Sequence, residues 1–142
     1  MISLLPGIDS TASALDAERV RMDVISQNIA NVNTTRGLDG KPYQRQEVVF
    51  ETVLQAQQDA DSASPEQSVR VAHIQTDNRP PRMVYNPGHP DADAHGMVAM
   101  PDINIHQEMV DMISSSRTYE ANLAVVKNAR SMAMQALSIG KH

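Results

Sequence analysis

From Asp102 to Ile139 the chain carries neither proline nor glycine, while Pro101 stands just before and Gly140 just after. A run of that length, free of breakers and closed on both sides, reads as one long helix. Asn104 is the expected N-cap, with Gln107 three residues on to complete a capping-box pair. Along this helix Ile105, Met109, Met112, Ser116, Tyr119, Leu123, Val126, Arg130, Ala133 and Leu137 alternate steps of four and three. All but Ser116 and Arg130 are apolar, which makes a heptad seam rather than a loose amphipathic face. A second stripe, Ala121, Val125, Ala129, Met132, Ala136 and Ile139, repeats the rhythm on another face. Each stripe must leave water to contribute, so the helix needs two neighbours. One is expected from the same chain, the other from a different subunit.

The internal partner is at the other end. Between Pro6-Gly7 and Gly37 neither breaker occurs, and Ile8, Leu15, Met22 and Ile29 recur every seven residues. This predicts a second heptad helix over 8–36, capped by Asp9 or Ser10. Its end is polar: Asn28, Asn31 and Asn33 flank Ile29 and Val32. Such residues suit either a helix dissolving into a turn or a buried amide that fixes register.

Between the helices, 37–101 holds seven of the eight prolines and four of the six glycines. Its pattern predicts strands at Tyr43–Phe50, Val69–Ile74, Arg82–Tyr85 and Gly96–Met100, with a flexible stretch over 52–67. One Phe, three Tyr and no Trp leave little for a large core, so the insert is a small β unit. The expected class is α+β: two terminal helices (1–36 and 102–142) paired as a coiled coil around a small β-rich domain (37–101).

Functional classes narrow quickly. A net charge of −5 argues against a nucleic-acid surface, and no cysteine is present for thiolate chemistry. No apolar run is long enough to span a membrane, and no secretory signal is expected. The one candidate for chemistry is His89, Asp91, Asp93 and His95, two imidazoles and two carboxylates at alternate positions. Gathered by a turn they would suit a divalent metal and a metal-dependent hydrolase. Extended, they would spread over about 20 Å at roughly 3.3 Å per residue, and the loop would be structural. His73 and His106 stand alone, and no phosphate loop or nucleophile elbow occurs. A soluble helical adaptor is the third class open to this pattern.

Several segments carry a resemblance. Asn28-Ile29-Ala30-Asn31 followed by Thr34-Thr35 resembles the N-terminal motif of flagellar rod, hook and related axial proteins. Pro42-Tyr43-Gln44-Arg45, Tyr85 to Asp93, Glu108 to Ile113 and Ser116 to Asn122 resemble the basal-body rod members, in order along the chain. Met97 and Asp102 depart from that pattern, where Tyr and Asn are usual. The resemblance implies a non-catalytic subunit of the proximal rod, without cofactor or metal, exported uncleaved by the flagellar type III apparatus. It implies terminal helices lining the inner tube, a middle region facing outward, and partners in itself and other rod proteins rather than nucleic acid or membrane. It favours a packing role for Asn28 and Asn31 and a structural role for the His89 to His95 loop. The residues expected to pack are Ile8, Leu15, Met22, Asn28, Ile29, Asn31, Met109, Met112, Tyr119, Leu123, Val125, Val126, Met132 and Leu137.

Overall fold

The computed structural model describes residues 6–55 and 66–139. Two helices bracket two antiparallel hairpins, in the order α1 (Pro6–Ala30), β1 (Gln46–Gln55), β2 (Glu66–Thr76), β3 (Arg82–Tyr85), β4 (Met97–Met100) and α2 (Ile105–Ile139). The class is α+β.

α2 begins where its cap dictates. The Asn104 Oδ1 accepts from the His106 N–H at 3.1 Å and the Gln107 N–H at 3.4 Å, satisfying two otherwise orphaned donors. The expected stop at Gly140 lies outside the described residues. α1 departs from expectation at both ends. Pro6, the first described residue, is already helical, ahead of the expected caps Asp9 and Ser10, and proline is tolerated in a first helical turn. The helix ends at Ala30, short of Arg36, where Asn31 turns the chain.

The helices pack antiparallel. Asn28 near the end of α1 bonds Glu108 near the start of α2, while Ala14 and Ala17 share a cavity with Thr118 and Asn122. On equal rise per residue, Pro6 comes level with roughly residue 130 of α2.

β1 and β2 pair from Gln46↔Thr76 to Gln55↔Glu66, with a register shift at Val49/Phe50 that leaves Ala72 unopposed. The pairing reaches into the stretch expected to be flexible: 52–55 and 66–67 are strand, and 56–65 lie outside the described residues. This hairpin lies along α1, so α1 has α2 on one side and strands on the other. That position explains the small core of Ala17, Val24 and Ile25, all on α1, with Val98 and Ile103. The β3–β4 hairpin pairs Arg82↔Met100 to Tyr85↔Met97 and is tied in through its loops rather than packed on a helix.

The junction and the exposed helix face as candidate assembly sites

A network of buried and half-buried polar contacts lies where α1 ends, β1 begins and α2 begins. Asn28 is only 1% exposed, and its amide is fully used. Its Nδ2 donates to the Gln46 carbonyl at 2.8 Å and to the Glu108 Oε2 at 3.0 Å. Its Oδ1 accepts from the Gln46 N–H at 2.9 Å and the Tyr43 hydroxyl at 3.1 Å. The side chain thus pairs with the first residue of β1 as a neighbouring strand would, and holds α2 with its remaining donor. Two donors and two acceptors are all an amide has.

Glu108 completes the knot. Equally buried, it accepts at Oε1 from the Arg45 Nε at 2.7 Å, in a charge-assisted bond that compensates the buried carboxylate. Burial works to lower the Arg45 pKa, but the bond and charge of Glu108 outweigh it and hold it above its ordinary value. Burial pushes the Tyr43 phenol up, and the Glu108 charge adds to the shift. The far strand is tied to the same point, since the Asp77 N–H donates to the Arg45 carbonyl at 2.8 Å. Arg79 then links Asp77 (2.7 Å) to Asp102 (3.1 Å) ahead of α2.

Asn31 does something different. Its Nδ2 donates to the Gln27 carbonyl at 2.9 Å and its Oδ1 accepts from the Thr34 hydroxyl at 3.1 Å, closing the helix into a turn. The buried amide is thus at Asn28, and the helix end dissolving into a turn is at Asn31.

The His89 to His95 loop is a tight connection from β3 to β4. The Asp93 Oδ1 accepts from the His95 and Met97 N–H groups at 2.8 and 2.9 Å. Asp91 accepts from the Thr35 hydroxyl at 2.8 Å and lies 3.7 Å from the Arg36 guanidinium. The His89 Nδ1 accepts from the Asp91 N–H at 3.1 Å. These bonds hold Asp91, Asp93 and the His89 Nδ1 within the loop's own network, and among the described residues no group of three or more His, Cys, Asp or Glu is placed to hold an ion. Gly96 sits at φ +73°, and a Cβ there would lie 3.0 Å from the Tyr85 ring and 3.1 Å from Pro87. Nearby, a cleft of about 270 Å³ is lined by Pro42, Tyr43, Pro81 and Pro101, with Asp77, Arg79 and Asp102 paired at its rim.

On α2 the expected seam is half right. Met112, Tyr119, Val126 and Ala133 are half-buried at seven-residue spacing. The line completing the buried face is Glu108, Ser115, Asn122 and Ala129, one residue earlier than Met109, Ser116, Leu123 and Arg130. Leu123 is still half-buried, but Ile105 and Met109 (53% exposed) face away from α1, and Leu137 (66%) is exposed beyond the described end of α1. The correction has a chemical reason: the junction demands Glu108 inside, which turns Met109 out. The signal was a heptad of polar and small residues, invisible to a count of apolar ones.

On α1, Ile8, Leu15, Met22 and Ile29 are half-buried, while the deepest positions are Ala17, Val24, Ile25 and Asn28. On the second stripe of α2, Val125 (54%) and Met132 (63%) are exposed in the single chain, as are Ala121, Ala136 and Ile139; Ala129 is half-buried. Beyond the level of Pro6, Met132, Met134, Leu137 and Ile139 all stand exposed. No helix among the described residues is long and apolar enough to cross a membrane.

Comparison with known proteins bears on this geometry. Residues 8–36 match the family model described as flagella basal body rod protein. Residues 94–139 match the one described as flagellar basal body rod FlgEFG protein C-terminal. Over its whole length the chain is similar to proteins named flagellar basal-body rod protein FlgC. It is 42% identical to that of Borreliella burgdorferi, covering 97% of this chain and 98% of the relative. It is 40% identical to that of Yersinia enterocolitica (99% and 100%) and 41% to that of Bacillus subtilis (94% and 96%).

Proposed function

This chain belongs to the FlgC family of flagellar basal-body rod proteins, and from that membership we propose how it enters the rod. It is a subunit of the rod of the flagellar basal body. Its place is the proximal rod, where it assembles with further copies and with other rod proteins to transmit torque. The antiparallel pair of α1 and α2 continues as a coiled-coil-like layer toward the inner tube, and the 37–101 region faces outward. The subunit reaches the rod through the flagellar type III export apparatus, works without cofactor or metal, and catalyses no reaction.

One observation carries this reading. Val125, Met132 and Ile139 lie at seven-residue spacing on one face of α2 and are each more than half exposed in the single chain. Scattered apolar residues are ordinary on a surface, but a row along one helix marks an interface. The half-buried Ile8, Leu15, Met22 and Ile29 leave α1 with apolar surface for the same neighbours. Asn28 and Asn31 act within the subunit, and support packing between subunits by fixing the shape of what packs.

The test is electron microscopy of isolated basal bodies labelled for this chain, beside sedimentation of the purified protein over a range of concentrations. Label in the rod and mass growing with concentration are expected. A monomer at every concentration, bound to one partner and absent from the rod, would make it an adaptor instead.

A further inference from the structure

The helix pair has a weakness that the junction corrects. Its buried positions repeat every seven residues on α2, Ser115–Asn122–Ala129 and Met112–Tyr119–Val126–Ala133, and most are small or only moderately apolar. A slide of α2 along α1 by one heptad, about 10 Å, would again place such residues against α1. In the direction that carries the tail toward α1, exposed Ala136 would take the half-buried place of Ala129. Apolar packing on a regular repeat therefore distinguishes the two registers poorly. The polar contacts distinguish them sharply.

We infer that Asn28, Glu108 and Arg45 form a register pin that fixes the axial position of α2 and β1 on α1. After the slide Glu108 would pass the end of α1 and lose both the Arg45 Nε and the Asn28 Nδ2. The same amide holds the Gln46 N–H and carbonyl, so one side chain sets the level of the strand and of the second helix together. A buried polar group that specifies register on an apolar seam is the best-supported use of such groups. The pin stands on contacts within one chain and holds whichever neighbours the rod supplies. Its consequence for assembly is positional: it decides where along the subunit Val125 and Met132 are presented. Asn28, Glu108 and Arg45 are positioning residues, not contacts between subunits.

The chain has no cysteine, so register can be read by introduced disulfides. Ala14 and Asn122 line one cavity, and Ala14→Cys with Asn122→Cys reports the native register. Ala129 follows Asn122 by one heptad, and Ala14→Cys with Ala129→Cys reports the slide. Each pair is placed in three full-length backgrounds and oxidised, with circular dichroism confirming helix content. In the otherwise unaltered chain, and with Glu108→Gln, which keeps an acceptor for Asn28, only the native pair should close. With Arg45→Met and Glu108→Leu together, which bury no unpaired charge, the shifted pair should close to a comparable extent. Adding Asn28→Leu should extend the shift to β1 and provides a second variant.

A folded Arg45→Met/Glu108→Leu protein that closes only the native pair would overturn the pin. It would assign register to buried Pro101 and Ile103 ahead of α2 instead. Loss of the native register in the Glu108→Gln background would also overturn it, since the hydrogen bond to Asn28 would then carry nothing.

Discussion

The two ends of the helix pair invert the usual distribution of polar and apolar groups. At the junction, Glu108 and Asn28 are almost fully buried and their polar atoms are engaged within the chain. At the other end, Met132, Met134, Leu137 and Ile139 are apolar and exposed. Buried polar groups tolerate few arrangements, because each lost partner costs free energy. Exposed apolar ones tolerate many, because burial is non-directional. So the junction is where the chain determines its own shape, and the tail is where it meets others. If that is right, damage at the first should appear in the isolated subunit and damage at the second only in the rod.

The largest expected effect is at Arg45. Arg45→Met removes the cation from a carboxylate that stays buried, and losing one partner of a buried pair costs about 3–5 kcal/mol. Urea denaturation of the purified chain should show a loss of that size. Adding Glu108→Leu should restore most of it, since the charge is then gone as well. A loss below about 1 kcal/mol in the single variant would mean that Glu108 reaches water, and the contrast between the ends would fail.

Gly96 probes the same end through the backbone. At φ +73°, Gly96→Ala strains the chain and presses a methyl toward the Tyr85 ring and Pro87. About 2 kcal/mol is expected for a single alanine in the left-handed region. The β3–β4 loop also holds Asp91 against Thr35 and Arg36, so hydrogen exchange should quicken there while α2 is unchanged. Quickening along all of α2 would show that the second hairpin supports the helix pair directly.

These two sites also mark what the sequence could and could not reveal. The helices were legible because proline and glycine delimit them and because heptads are regular. Arg82–Tyr85 forms as expected, whereas Gly96, expected to open the last strand, instead closes the turn before Met97–Met100 at positive φ. Half of the α2 seam was legible, at Met112, Tyr119, Val126 and Ala133. The other half was not, since Glu108, Ser115 and Asn122 are residues that hydrophobic periodicity passes over. β1 begins at Gln46 rather than Tyr43 because Tyr43 and Arg45 serve the junction before the strand starts. Strand pairing beyond Thr52 was hidden for the opposite reason, a polar composition that reads as loop while its backbone is still paired. Asn28 could be singled out from sequence, but its partners lie at positions 43, 46 and 108, and no local pattern connects them.

A smaller effect is expected on acidification. Side-chain and backbone hydrogen bonds from Arg79 hold the Asp77 carboxyl below the usual carboxylate range. A lowered folded-state pKa means stability that is present above the unfolded value and lost as pH falls through the folded one. The group is open to solvent, so the contribution is small and weakened by salt. Asp77→Asn should flatten the acid limb of the stability curve at low ionic strength, because its small loss of stability is present at neutral pH and fades as pH falls through the folded-state pKa. An equal loss at pH 7 and pH 3 would mean that Asp77 acts through the geometry of its side-chain hydrogen bonds with Arg79 rather than through its charge.

The smallest effect on the chain, and the most informative about the rod, is expected at Met132. It is 63% exposed and lies beyond the level reached by the described residues of α1. Met132→Asp therefore places a charge in water in the isolated subunit, and stability should change by less than about 0.5 kcal/mol. Against a neighbour the same carboxylate would lose its hydration with no cation in place, at a cost of several kcal/mol. Val125→Asp, on the same stripe, should behave alike. Leu123→Asp should not: Leu123 is half-buried, so a charge there should weaken the helix pair before any neighbour arrives. Urea denaturation should separate Leu123→Asp from the other two, and basal bodies isolated from cells producing each variant should lack all three. Normal incorporation of Met132→Asp would mean that this stripe faces solvent in the rod. The neighbour would then be sought on the Met109, Val110 and Ile113 face, which the inward turn of Glu108 leaves exposed.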